Sequence, residues 1–137
     1  MHRKLKSLED VELYKDEVIG PELVGTIEYE KDGEHSFYGA IIPTTHRLFV
    51  NIREADTVKH HPVEYKEITG ITTENLLMVG NIIHIWIGNE IVISMKSVSD
   101  GKLDKFLNYL YKHRARRLRL DSDASISHTQ HHDQQVV

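Results

Sequence analysis

Short segments in which apolar and polar residues alternate, separated by turn residues, fill the chain from Gly39 to Met95. Leu48, Val50 and Ile52 show the period of two that a half-buried β-strand has, because successive side chains of a strand point to opposite faces. Similar segments lie before this stretch and at its end. The pattern therefore predicts a mainly β protein, in which hairpin turns such as Gly88-Asn89 join antiparallel strands.

We predict seven strands. They run over Glu22–Tyr29, Phe37–Thr44, Arg47–Arg53, Val58–Tyr65, Thr69–Leu76, Asn81–Ile87 and Ile91–Val98. The last two strands carry matching alternate apolar sets, Ile83, Ile85 and Ile87 on one and Ile91, Ile93 and Met95 on the other. These two strands should therefore line one core together.

A helix should follow the last strand, with Ser99 or Asp100 as its N-cap. Its apolar residues fall at i, i+3, i+4 and i+7: Leu103, Phe106, Leu107 and Leu110. Arg114 and Arg117 continue the same face. Burial of a lone guanidinium costs several kcal/mol, so we expect the helix to pack through about Tyr111 and to leave both arginines in solvent.

The two ends of the chain differ from this central region. Residues 7–10 resemble a helix capping box and predict a short helix over Leu8–Asp16. Residues 121–137 are rich in Ser, His, Asp and Gln, which predicts disorder. We therefore divide the chain into an N-terminal extension (1–19), a folded domain (20–113), and a basic helix end with a disordered tail (114–137).

The composition excludes several classes of protein. The chain has 137 residues and no cysteine, so it has neither disulfides nor thiolate metal ligands nor a cysteine nucleophile. No apolar run approaches the roughly 18 to 20 residues that span a bilayer, and residues 7–17 are too polar for the core of a signal peptide. We therefore expect a cytoplasmic protein.

Charge is distributed unevenly along the chain, which has a net charge of -4. Residues 9–34 hold ten acidic side chains and only two lysines, whereas residues 112–119 hold five basic side chains and no acidic one. A general nucleic-acid-binding protein would be more basic overall, so no nucleic acid is expected as a partner.

Two motifs carry a resemblance to a known family. Thr44-Thr45-His46-Arg47-Leu48-Phe49-Val50 resembles the corner of small bacterial pleckstrin-homology-like (PH-like) domains, the YokE-like group. The segment from Val63 to Ile71 is similar to the next signature of that group. The resemblance covers roughly residues 18–112, and it implies a split barrel of seven antiparallel strands capped by one helix.

The resemblance also implies a non-catalytic module, without a cofactor, that holds a lipid, a peptide or a partner protein. Phosphoinositide-binding relatives place several Lys and Arg in and after the first hairpin. Here that hairpin carries four acidic side chains and one lysine: Glu28, Glu30, Lys31, Asp32 and Glu34. These carboxylates would repel an inositol phosphate, so we do not expect phosphoinositide binding at that place.

The basic run is the leading candidate for a binding site. It comprises Lys112, Arg114, Arg116, Arg117 and Arg119. A plain interpretation is a solvated helix end, since basic residues stabilise a helix C-terminus. The alternatives are an acidic protein surface, such as residues 9–34 of a second copy, RNA, or weak contact with an anionic membrane.

Trp86, together with Ile82 and His84, is an alternative apolar surface, because these residues lie on the strand face opposite Ile83 and Ile85. Since a lone tryptophan usually packs inside its own domain, we expect the N-terminal or the C-terminal helix to cover it; otherwise it is a contact surface.

Other polar residues favour structural interpretations. Arg47, next to Thr44 and Thr45, could bind an anion, but such a corner more often pairs its arginine with a carboxylate or with backbone carbonyls. His60 and His61 point to opposite strand faces, and the histidines of the tail lack supporting ligands, so we predict no metal site. No nucleophile–base pattern is present, and we expect no enzyme.

Overall fold

The computed structural model describes residue 8, residues 10–89 and residues 91–136; side chains are described except at 97 and 124–136. The strands are β1 (Leu23–Glu30), β2 (Glu34–Pro43), β3 (Arg47–Glu54), β4 (Thr57–Glu64), β5 (Ile68–Leu76), β6 (Gly80–Ile87) and β7 (Ile91–Val98). A 3₁₀ turn, Tyr65–Glu67, joins β4 to β5, and one helix, α1 (Asp100–Val136), follows β7. The predicted seven strands and the helix after them are confirmed.

All seven strands form one open antiparallel sheet, in the order β4-β3-β2-β1-β7-β6-β5. β1 pairs with β2 along its whole length. Its register with β7 includes the pairs Ile27 with Met95 and Glu28 with Ser94. The pairing of β1 with β7 therefore joins β1–β4 to β5–β7 in one sheet.

The connection between the two edge strands requires the sheet to curl. Six strand spacings of about 4.8 Å would separate β4 from β5 by about 29 Å in a flat sheet. The 3₁₀ turn that joins them has three residues, Tyr65–Glu67, which span only about 6 Å at about 2 Å per residue. The curl brings the inward faces of all seven strands around one core.

The core contains the alternate residues that the sequence places on one face. Its buried members include Leu23, Ile27, Ile41, Val50, Ile68, Ile83, Ile85 and Met95. Helix α1 closes one opening of the curled sheet with Leu103, Phe106 and Leu110, while Leu107 is partly buried against the same cluster. At another opening, a cavity of about 240 Å³ lies between apolar side chains of β3, β4, β6 and β7.

The predicted N-terminal helix is absent from the described residues. From Asp10 to Asp16 the chain forms turns and extended backbone, and Leu8 and Leu13 both pack on the outer face of β2 and β3. At 100° per residue, two residues five apart lie about 140° apart around a helix, so one helix could not direct both side chains to the sheet. Ser7, the predicted N-cap, lies outside the described residues.

Helix α1 continues further than expected. It runs to Val136, through residues 121–136, for which the sequence predicts disorder. Once a helix has formed, each added residue contributes another backbone hydrogen bond, so a polar sequence can extend it. The helix also has no break at residue 113, where we place the end of the folded domain.

The packing of α1 generates a stability prediction. Phe106 is fully buried, whereas Leu107 is only partly buried. Phe106→Ala should lower the free energy of unfolding by about 3 to 5 kcal/mol, because it leaves a cavity in the core. Leu107→Ala should have a clearly smaller effect. Urea unfolding of both variants measures the difference, and equal losses would contradict this account of the helix face.

Candidate functional site

The corner between β2 and β3 is held together by an ion pair. Arg47 donates from Nε to Glu17 Oε2 at 3.0 Å and from Nη2 to Glu17 Oε1 at 3.1 Å. Thr44 donates its hydroxyl to the same carboxylate at 2.6 Å. The Arg47 guanidinium also lies 4.3 Å from the Tyr14 ring centroid and 4.6 Å from that of Phe49. The structural interpretation of this corner is confirmed.

Both charges of the pair are stabilised by their surroundings. Burial raises the pKa of the Glu17 carboxyl, but hydrogen bonds from Arg47, Thr44 and the Tyr14 backbone outweigh burial and hold the pKa below its usual value of 4.5. The hydrogen bond to Glu17 in turn raises the pKa of Arg47. The corner therefore fixes the N-terminal segment to the sheet through charged groups that have little exposure to water.

The basic run divides into two groups. Lys112, Arg116 and Arg119 are exposed and share one side of α1 at i, i+4 and i+7. Arg114 and Arg117 are half-buried, so the prediction that they lie in solvent is wrong. The structure thus reduces the candidate cationic surface from five side chains to three.

A backbone carbonyl explains the burial of Arg114. Its Nη2 donates to the carbonyl oxygen of Ile68, the first residue of β5, at 2.8 Å. A guanidinium can therefore face the protein without a carboxylate partner. Arg117 lies further along the same side of α1 and borders the same surface cavity as Tyr14, His46 and Glu64. The helix consequently packs at least one turn beyond Tyr111.

The three residues of the alternative apolar surface, Ile82, His84 and Trp86, have different environments. Ile82 is buried, with 3 % exposure, while Trp86 remains 45 % exposed. His84 accepts or donates hydrogen bonds on both ring nitrogens, to Ser94 Oγ at 2.6 Å and to Glu74 Oε2 at 2.8 Å. The expectation that a helix covers Trp86 is wrong, because the N-terminal segment packs on β2 and β3 and α1 closes the end of the core.

Ser94, His84 and Glu74 are hydrogen-bonded in series, as the residues of a catalytic triad are. They border a groove of about 660 Å³ that is also lined by Glu28 and Lys96. A serine nucleophile requires backbone N–H donors for the oxyanion as well as a base. Ser94 is paired with Glu28 of β1 on one side and with His84 of β6 on the other. We interpret this series as a polar ladder of cross-strand neighbours.

The sequence analysis missed the free edge of β5. In the part of the chain that the structure describes, β5 pairs with β6 and with no strand on its other side. From Thr72 to Leu76 its residues are exposed, and the strand contains neither proline nor lysine. The opposite edge, β4, contains Lys59 and Pro62, residues that hinder pairing with another strand.

The turn after β5 is equally unusual. Leu77 is 92 % exposed and Met78 is 97 % exposed. Met78 also has a φ of 73°, a left-handed conformation that residues with a side chain rarely adopt. A signal was present in the sequence, because four consecutive apolar residues, Leu76 to Val79, occupy a position where a hairpin normally has polar ones.

The comparisons with known proteins assign no function to this chain. No protein-family model matches the chain, and a search of curated proteins finds no match. Within the described residues, no helix has the length and apolar character needed to cross a membrane. Over the same residues, no three His, Asp or Glu side chains are grouped so that they could hold a metal ion.

The ion pair at the corner predicts a specific pH dependence. Because the pKa of folded Glu17 lies below 4.5, its stabilising effect is complete above that pH and is lost as the pH falls through the lowered value. Glu17→Gln should lower the free energy of unfolding at pH 7 by about 3 to 5 kcal/mol. It should also make the loss of stability in acid less steep.

Urea unfolding between pH 7 and pH 3 measures both effects. The matched control is Glu54→Gln, which removes an exposed ion pair with Lys59 and should leave the free energy of unfolding nearly unchanged. Parallel acid profiles for the wild type and Glu17→Gln would contradict the assignment.

Proposed function

We propose that this protein is a PH-like, non-catalytic binding module and that its partner is a protein. The partner binds at the β5 surface, which we define as the free edge Gly70–Leu76, the turn Leu77–Val79 and the side chain of Trp86. The strand count, the curl of the sheet and the helix that closes it support the PH-like assignment. The exposed turn is the observation that carries the assignment of the binding surface.

The turn combines two unfavourable features. A left-handed residue with a side chain costs about 1 to 2 kcal/mol, and glycine or asparagine at position 78 would reduce that cost. Met78 instead keeps a large apolar side chain in water at 97 % exposure. The exposed apolar area becomes favourable when Leu77 and Met78 enter an apolar pocket of a partner, because burial of each side chain then contributes about 1.5 to 3 kcal/mol.

The free edge provides the second part of the surface. Alternate backbone N–H and C=O groups of an edge strand point away from the sheet and can pair with an added strand. β5 offers this edge next to the apolar turn, so backbone hydrogen bonds and side-chain burial would act on the same partner. Trp86 lies on the neighbouring strand and extends the apolar part of the surface.

Binding to an anionic membrane through α1 is the second candidate function. Its support is the exposed group Lys112, Arg116 and Arg119. At about 1 kcal/mol per basic residue near an anionic surface, three residues provide only weak attachment. The acidic hairpin between β1 and β2 continues to argue against a phosphoinositide ligand.

A pull-down with the full chain tests the β5 surface. We expect the wild type to recover a protein that the double variant Leu77→Asp/Met78→Asp loses, because a carboxylate cannot enter an apolar pocket without a large desolvation penalty. The matched control is Tyr111→Asp/Leu120→Asp on α1, where the two apolar residues are 46 % and 44 % exposed. This control should keep the partner.

Sedimentation with anionic vesicles separates the two candidate functions. The wild type should remain in the supernatant at physiological salt. Salt-sensitive binding that disappears when Lys112, Arg116 and Arg119 are changed to Gln would overturn the proposal in favour of the membrane function. Thermal melts should show that the exposed variants change stability by less than about 0.5 kcal/mol each.

A further inference from the structure

We infer that the partner at the β5 surface is a second copy of this chain, with the two β5 edges paired antiparallel about a two-fold axis at Thr73. This inference rests on the proposed function, because it uses the same surface. It adds the identity of the partner and the register of the two strands.

The contacts at the start of β5 determine how much of the edge is free. The Ile68 carbonyl accepts a hydrogen bond from Arg114 at 2.8 Å. The register of β5 with β6 shifts between Ile68 and Gly70, and regular pairing then runs from Gly70 to Leu76. The regular part of the free edge is therefore Gly70–Leu76, and Thr73 is its middle residue.

Charge supports pairing with an identical strand in this register. Glu74 is the only charged residue of β5. Centring the axis on Thr73 places each Glu74 opposite Thr72 of the other copy, whose hydroxyl can donate to the carboxylate. Centring it on Glu74 would place two carboxylates opposite each other, an arrangement that destabilises an antiparallel pair.

Apolar packing supports the same register. Leu76 of one copy falls opposite Gly70 of the other, and Gly70 is the cross-strand partner of Trp86. The Trp86 ring already lies against this glycine, with Cδ1 3.3 Å from the position a Cβ would occupy. Leu76 and Trp86 are each 45 % exposed, and in the pair they share one face and cover each other.

The two-fold symmetry doubles every contact. Each copy contributes a Leu76 to the other's Trp86. Because both copies use the same surface, the pairing occupies the free edge of each copy. It therefore produces a closed dimer and not a fibre. The protected edge, β4, does not offer this route because Pro62 lacks an N–H donor.

Disulfide cross-linking tests the register, because the natural chain contains no cysteine. Across the axis, the two Thr73 Cα atoms would lie about 4.5 to 5.5 Å apart, within the range of about 4.4 to 6.8 Å that a disulfide spans. Thr73→Cys should therefore form a covalent dimer under mild oxidation. The two Asn75 residues are offset by four positions, about 14 Å, so Asn75→Cys should remain monomeric on a non-reducing gel.

Trp86 provides an independent readout, because it is the single tryptophan of the chain. Sedimentation of the wild type should show a monomer–dimer equilibrium. Dilution through that equilibrium should shift Trp86 emission to longer wavelength, as the indole becomes exposed. Leu76→Asp should raise the dimer dissociation constant at least about tenfold, a change that corresponds to about 1.4 kcal/mol. The control Leu120→Asp should leave that constant unchanged.

Several results would overturn the inference. A monomer at every concentration with no cross-link at Thr73 would do so, as would a dimer whose formation leaves Trp86 emission unchanged. Efficient cross-linking of Asn75→Cys would exclude this register. If the chain is monomeric but the Leu77→Asp/Met78→Asp variant still loses a captured protein, the proposed function stands and only the identity of the partner is wrong.

Discussion

The three-residue connection between β4 and β5 is the constraint on which the rest of the structure depends. It holds the two edges of a seven-stranded sheet close together at one point, so the sheet must curl and enclose its apolar face. Tyr65, in this connection, is fully buried and donates its hydroxyl to the Thr44 carbonyl. The turn is thus anchored to the corner between β2 and β3. Among the described residues, the same geometry leaves β5 unpaired along most of its outer side, because the two edges are joined there without forming a ladder.

The ion pair of Glu17 with Arg47 has a different role, since it fixes a segment that is not part of the sheet. Glu17 ends the N-terminal segment, and the pair brings that segment across the outer face of β2 and β3. Leu8 then packs beside Ala40, Ile42 and Phe49. The charged contact and these apolar contacts together hold the segment over β2 and β3, while Trp86, on another part of the sheet, remains exposed.

Much of the fold could be predicted from the sequence, because alternation is a local property. Ile83, Ile85 and Met95 face the core as the period of two requires, and α1 begins at Asp100, directly after Ser99, one of the two expected N-cap residues. The failure at Arg114 concerns a contact between distant residues. Arg114 is 46 positions from the Ile68 carbonyl that it meets, and no local pattern identifies that acceptor. For the candidate site, the apolar turn was visible in the sequence, but its exposure depends on which strands lie at the edges.

The contact between β1 and β7 has a consequence for the order in which the sheet can form. Among the described strands, every other pair of neighbours in the sheet is consecutive along the chain, whereas β1 and β7 are the first strand and the last. Closing so long a loop costs conformational entropy before the contact is made, so pairings of this kind form slowly. The hairpins of β1–β4 and those of β5–β7 can form locally, and the pairing of β1 with β7 should then join them in a later step.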